Sequence, residues 1–379
     1  MKKIMSLLLA AAMMLAMFAG CGSSEASATP AASEPEAAAS GETGETAEAS
    51  GTEKIALVTD VGNIDDESFN QTCYEAMVAF GKDKGIETTY YKPTDDSTDA
   101  RVVSITQAVN EGATVIIMPG YLFGEAIGLT QDQYPDVKFI AVDVGESDLG
   151  DTKLSANTHT MVFHEEQAGY LAGYAAVKDG YTKLGYLGGM AVPAVQRYGY
   201  GYIQGINAAA EEMGVDVEVN YTYGGQFFGD ASITAKMEGW YSEGTEVVFA
   251  CGGGIYESAV EAANKHEGKV IGVDVDQSSI DPCIITSAMK GLYAATYGAL
   301  ETYIDGKWDT IGGTLSNLSL SEGDYVGLPT ETDSWRFNTF TVEEYEKIVA
   351  GIKDGSIAVS DNIDAMPEVG SHVTLNVIE

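Results

Sequence analysis

The chain has 379 residues and a formal net charge of −37 at neutral pH, with 57 Asp and Glu against 20 Lys and Arg. No basic stripe is available to neutralise phosphates, which excludes nucleic-acid binding and argues against direct electrostatic adhesion to anionic lipid. A chain of this length buries a substantial core and has room for two lobes.

The first element is a leader. Lys2 and Lys3 precede an almost uninterrupted apolar run from Ile4 to Phe18, followed by Ala19, Gly20 and Cys21. The run is shorter than the roughly 20 apolar residues a membrane span requires, and small residues mark a cleavage point. It resembles a bacterial lipoprotein signal, which implies that residues 1–21 end at a lipidated Cys21. The same resemblance implies an anchor on the extracytoplasmic face of the cell membrane. Residues 22–53 hold Ala, Ser, Gly, Thr, Pro and seven Glu, with no aromatic, Lys or Arg residue. Such a segment cannot offset its ordering entropy by burial and is expected to be a disordered acidic tether, spanning roughly 30 Å root-mean-square.

From residue 54 onward short apolar strands alternate with amphipathic helices. Strands are predicted at Ile55–Thr59, Glu87–Tyr91, Thr114–Met118 and Lys138–Val142, with helices at Glu67–Lys84 and Thr98–Glu111. After a helix at Glu165–Lys178 the pattern restarts, with strands at Lys183–Leu187, Val215–Tyr221, Glu246–Ala250 and Lys269–Val273. Helices at Ala194–Met213, Asp230–Ser242 and Tyr256–His266 separate them. Strands of this kind form parallel sheets covered on both faces, so two successive runs imply an α/β fold of two doubly wound lobes.

Several motifs are excluded or weak. Cys73, Cys251 and Cys283 are an odd set without a CxxC pair, and buried inert thiols are expected. His159, His164, His266 and His372 lack metal-ligand spacing, and no Gly-x-Ser-x-Gly elbow exists. No cofactor or metal is expected. The spaced glycines of Gly199–Gly205 sit inside a helical pattern rather than after a strand, so they make a poor dinucleotide motif.

In open α/β sheets, ligands bind beyond the carboxyl ends of strands. There the sequence places Thr59–Gln71, Met118–Phe123, Asp143, Tyr223–Gly229, Cys251–Gly254 and Asp274–Gln277. Carboxylates accept from hydroxyl and ring N–H donors, aromatic faces stack on planar rings, and glycine lets a ligand approach the backbone. The set suits a flat, polar, uncharged ligand such as a nucleoside.

The stretch Asp60–Gln71 (DVGNIDDESFNQ) resembles the opening signature of the basic membrane protein lipoproteins, which include purine-nucleoside receptors of ABC importers. Phe163–Ala176, Val270–Gln277 and Ile285–Lys290 resemble later signatures of that family, in its order. The resemblance implies a type I periplasmic-binding-protein fold, two lobes joined by three crossover strands with a ligand cleft between them. It implies a first lobe of about 54–160 plus part of 290–330, and a second of about 161–289 plus the C-terminal part. By position, Asp60 and Asn70 would hold an edge of the base, Phe69 and Phe227 would stack on its faces, and Asp143 would add a polar contact. Gly252 and Gly253 would line the cleft, while Asp274 and Lys290 would hold ribose hydroxyls. A monomeric, non-enzymatic receptor that serves a membrane permease and its ATPase is implied.

Each assignment has an alternative from the residues themselves. Asp60 and Asp66 suit caps of the helix starting near Glu67, Phe69 suits a core position, and Phe228 competes with Phe227. Asp274 suits a turn, and Lys290 suits an exposed helix start. A calcium-dependent nucleoside hydrolase is disfavoured, because Val58, Val61 and the pair Asn63 and Ile64 break the aspartate cluster it needs. A sugar receptor or sensor component on the same scaffold stays open, since a fold does not fix its ligand.

Overall fold

The computed structural model describes residues 53–378; the expected leader, Cys21 and residues 22–52 lie outside them. Among the described residues there are thirteen strands: β1 (Lys54–Val58), β2 (Glu87–Tyr91), β3 (Val115–Pro119), β4 (Lys138–Val142), β5 (Thr158–Phe163), β6 (Lys183–Gly188) and β7 (Val217–Tyr223), then β8 (Val247–Cys251), β9 (Lys269–Asp274), β10 (Ile284–Lys290), β11 (Thr314–Leu318), β12 (Val326–Gly327) and β13 (Val373–Val377). They form two sheets, ordered β11-β5-β4-β3-β1-β2 and β12-β10-β9-β8-β6-β7-β13. Every pairing is parallel except β10 with the short edge strand β12.

Burial on both faces explains the continuous apolar runs. Along β1, Ile55 and Leu57 join one core while Ala56 and Val58 join another, as the two-residue period of a strand requires. The edge strand β2, which reads Glu-Thr-Thr-Tyr-Tyr, is partly exposed.

The chain passes between the sheets three times. It leaves β5 at Phe163 for the helix Glu165–Lys178, leaves β10 at Lys290 for the helix Leu292–Ile304, and leaves β11 at Leu318 for the short helix Leu320–Gly323. These passages lie side by side: the His164 N–H donates to Leu318 O at 2.9 Å, and the Leu320 N–H to Gln167 Oε1 at 3.0 Å. Two doubly wound lobes with three crossovers make this the type I periplasmic-binding-protein architecture.

The structure differs from the sequence reading in detail. The first long helix starts at Phe69 rather than Glu67, because Glu67 adopts φ 48° and Asp66 caps from outside. Strand β5, Thr-His-Thr-Met-Val-Phe, was not predicted, since its polar residues mask a buried strand. His159 is accommodated there by the carbonyls of Ile311 and Thr314, each 3.1 Å from Nδ1. Lys290 ends strand β10 and is buried, not on an exposed helix start. Cys73, Cys251 and Cys283 are unpaired and buried, and burial raises each thiol.

The spaced glycines have a packing purpose. A Cβ on Gly201 would lie 2.0 Å from Glu166 O, one on Gly205 2.0 Å from Tyr170 O, and one on Gly169 2.1 Å from Tyr198 O. The helices Glu165–Lys178 and Pro193–Met213 therefore cross with their backbones in contact.

Candidate ligand-binding cleft

The carboxyl ends of both sheets face a cavity of about 470 Å³, within the usual range for small-molecule sites. All nine residues singled out from the sequence line it: Asp60, Phe69, Asn70, Asp143, Phe227, Gly252, Gly253, Asp274 and Lys290. The structure thus brings the whole set together.

On the first lobe, the turn after β1 presents Asp60. Its Oδ1 accepts from the Gly62 N–H at 2.7 Å and from Asn70 Nδ2 at 3.0 Å, and Oδ2 has no partner among the described residues. Gly120, after β3, leaves space for it, since a Cβ there would lie 2.9 Å from Asp60 Oδ2. Asp66 takes the cap role, accepting from the N–H groups of Ser68, Asn70 and Gln71 at 3.0–3.1 Å. Burial raises its carboxyl to about 6 despite these bonds.

At the crossovers lies a buried ion cluster. Lys290 Nζ pairs with Asp143 Oδ2, and with Glu165 Oε1 at 2.9 Å, while Arg197 Nε donates to Glu165 Oε2 at 2.5 Å. The ammonium also lies 5.1 Å from the Phe69 ring centroid, 5.3 Å from that of Phe163 and 5.7 Å from that of Tyr198. Its side chain is only 2% exposed. Burial works against charge on Glu165, but Arg197 and Lys290 hold its carboxyl down at about 2. Burial raises Asp143 against the pull of Lys290. Asp143 and Asp274, the acids at the ends of β4 and β9, share left-handed backbones, with φ 60° and 65°. Such strain clusters at ligand-binding positions.

The second lobe supplies an aromatic wall. Phe227 is half-buried over glycines: a Cβ on Gly189 would lie 2.5 Å from its ring, and one on Gly252 3.0 Å. The Gly254 N–H donates to Phe227 O at 2.9 Å, which fixes the loop. Phe228, next along, also borders the cavity but is 61% exposed. The glycine pair Gly252–Gly253, with φ 136° and 51°, therefore shapes the seat of Phe227.

Glu165, Arg197 and Ser68 escaped the sequence reading as site residues. Glu165 carried a signal, an acid in the first turn of a helix directly after a strand. Arg197 and Ser68 carried none, because their partners are remote in sequence.

Two electrostatic facts bound the ligand. Eight Asp and Glu residues line the cavity against two cations, Arg197 and Lys290, both already paired. Asn70 Oδ1 and Asp143 Oδ1 are buried without a hydrogen-bond partner among the described residues. The cleft therefore offers acceptors, and its cations are engaged by acids.

Residues 53–362 match the model of the family described as ABC transporter substrate-binding protein PnrA-like. The chain belongs to this family. Basic membrane protein B of Borreliella burgdorferi is 30% identical over 286 residues, covering 74% of this chain and 82% of that protein. The ABC transporter nucleoside-binding protein BmpA of Lactococcus lactis is 27% identical over 330 residues, 81% of this chain and 88% of its own. Among solved structures, an ABC transporter solute-binding protein from Aeropyrum pernix superposes with a TM-score of 0.67 at 22% identity, covering 81% and 87% of the two chains. That likeness supports the periplasmic-binding-protein fold. Among the described residues no helix is long and apolar enough to cross a membrane, and no cluster suits a metal ion.

Proposed function

We propose that this protein captures an uncharged nucleoside, a purine nucleoside foremost, between its lobes and delivers it to the permease of an ABC importer. The observation that carries the reading is a cavity whose unengaged buried groups are acceptors, between Phe69 and Phe227 and without an unpaired cation. A nucleoside supplies donors at the base edge and ribose, a flat face for each ring, and no charge. Asp60 and Asn70 take the base edge, with Asp143 adding a further polar contact. Asp274 and the remaining donor of Lys290 take the ribose hydroxyls. The protein works as a monomeric receptor without catalysis, held at the extracytoplasmic face by lipid on Cys21 and joined to the anchor by the tether. The similarity to the nucleoside-binding protein BmpA of Lactococcus lactis supports the ligand class.

A thermal-shift panel tests the reading. A ligand at 100 times its dissociation constant adds roughly 2.7 kcal/mol, so a nucleoside should stand out clearly. A free sugar satisfies the same acceptors but leaves an aromatic wall uncovered. A shift with a pentose or hexose and none with any nucleoside replaces the nucleoside by a sugar. Calcium-dependent release of free base from a nucleoside would instead establish a hydrolase.

A further inference from the structure

The lobes are also bonded directly to each other beside the cavity. Ser68, at the start of the first lobe's helix Phe69–Lys84, donates from Oγ to Asp274 Oδ2 of the second lobe at 2.6 Å, and both residues are buried. Next to it, Gln277 Nε2 of the second lobe donates to Glu67 O of the first at 3.0 Å. Gln277 is fully buried, and its Oε1 accepts from the Val273 N–H at 3.0 Å, which fixes which way the amide points. Glu67 takes a left-handed backbone, with its N–H on Gln71 Oε1 at 2.8 Å. For a glutamate that conformation is costly and needs support from its surroundings.

We propose that Ser68 and Gln277 form an interlobe clasp, and that Ser68 is a positioning residue acting on the ligand through the Asp274 carboxylate. The second half rests on the nucleoside reading; the first does not. A carboxylate has about four lone-pair positions, so the Ser68 bond leaves room for a ligand hydroxyl while fixing the side chain. Tyr198 OH, 3.5 Å from Oδ1, holds the other oxygen. Asp274 is therefore oriented by the opposite lobe, and its competence to receive a hydroxyl depends on closure. When the lobes part, Ser68 Oγ and Gln277 Nε2 exchange these partners for water. The net strength of each bond is accordingly modest, and the clasp shifts the closed population rather than locking it.

Amide hydrogen exchange on the ligand-free full chain tests the clasp. Ser68→Ala should speed exchange about fivefold both in residues 66–71 and, on the other lobe, in residues 273–278. Gln277→Glu keeps the acceptor for Val273 but replaces the donor to Glu67 by an anionic acceptor facing a carbonyl, and should speed exchange on both lobes more strongly. Faster exchange confined to the segment carrying each substitution, with the other lobe unchanged, overturns the clasp. For the positioning role, Ser68→Ala should weaken a purine ribonucleoside about tenfold and its deoxy counterpart much less. Equal weakening of both overturns that role. A protein that binds no nucleoside at all removes the ligand reading, while the exchange experiment still decides the clasp.

Discussion

At the scale of single residues, the site is a set of acids whose charge is managed by two cations, the buried Lys290 and the partly exposed Arg197. Removing Lys290 leaves Asp143 and Glu165 facing each other in the interior with Arg197 alone to compensate. Lys290→Met should therefore destabilise the fold by roughly 3–5 kcal/mol, read as the midpoint shift in denaturant unfolding. Phe69→Ala should weaken a nucleoside by roughly 2 kcal/mol or more through lost stacking and burial, with little effect on free ribose. Calorimetric titration separates the two ligands, and unchanged nucleoside affinity would reduce Phe69 to a core residue. The nine cavity residues singled out were legible in the sequence because they lie at or after strand ends, and Asp60, Phe69, Asn70, Asp274 and Lys290 also sit within family-like stretches. Glu165, Arg197 and Ser68 were not, since their roles depend on contacts across 32 to 206 positions of chain. No local pattern encodes such a contact.

At the scale of elements, strand ends and helix starts do the positioning. Asp66 caps the helix bearing Phe69 and Asn70, and its carboxyl is raised to about 6 by burial. The folded state then holds the proton more tightly than the unfolded chain, so this group's contribution to stability falls as pH rises from about 4 to 6. Glu165, held near 2, works in the opposite sense: its contribution is full above about pH 5 and is lost as pH falls from there toward 2. Asp66→Asn should flatten the pH dependence between 4 and 6, on the order of 1 kcal/mol after allowance for partial exposure, as measured by urea unfolding at each pH. An unaltered slope would place the titration elsewhere. The two helices crossing at Gly201 and Gly169 carry Arg197 and Glu165 to each other. Gly201→Ala, with its Cβ 2.0 Å from Glu166 O, should cost roughly 1–3 kcal/mol and loosen that pair. The glycine spacing was visible in the sequence, but its meaning was not, because a helix–helix crossing and a phosphate loop both call for glycine. The strand β5 was missed for a related reason: its Thr and His residues break the apolar pattern, and the carbonyls of Ile311 and Thr314 that accommodate His159 lie about 150 positions away, where periodicity does not register them.

At the scale of the molecule, the alternating pattern from residue 54 onward carried the two-lobe architecture, whereas β11, β12 and β13 came only with the structure. Two of these late strands are partly exposed and pair with residues about 150 positions earlier, β11 with β5 and β13 with β7, and β12 is only two residues long. Three adjacent crossovers leave the lobes free to hinge, so saturating ligand should lower the radius of gyration in small-angle scattering. The ligand itself is the central claim. The most direct test is calorimetric titration of the purified protein with a purine nucleoside and with its 5′-monophosphate. A cleft rich in acids, with both cations engaged, should bind the nucleoside at one per chain and show no heat with the monophosphate. Equal binding of the monophosphate, or a silent nucleoside beside a binding sugar, would contradict the account.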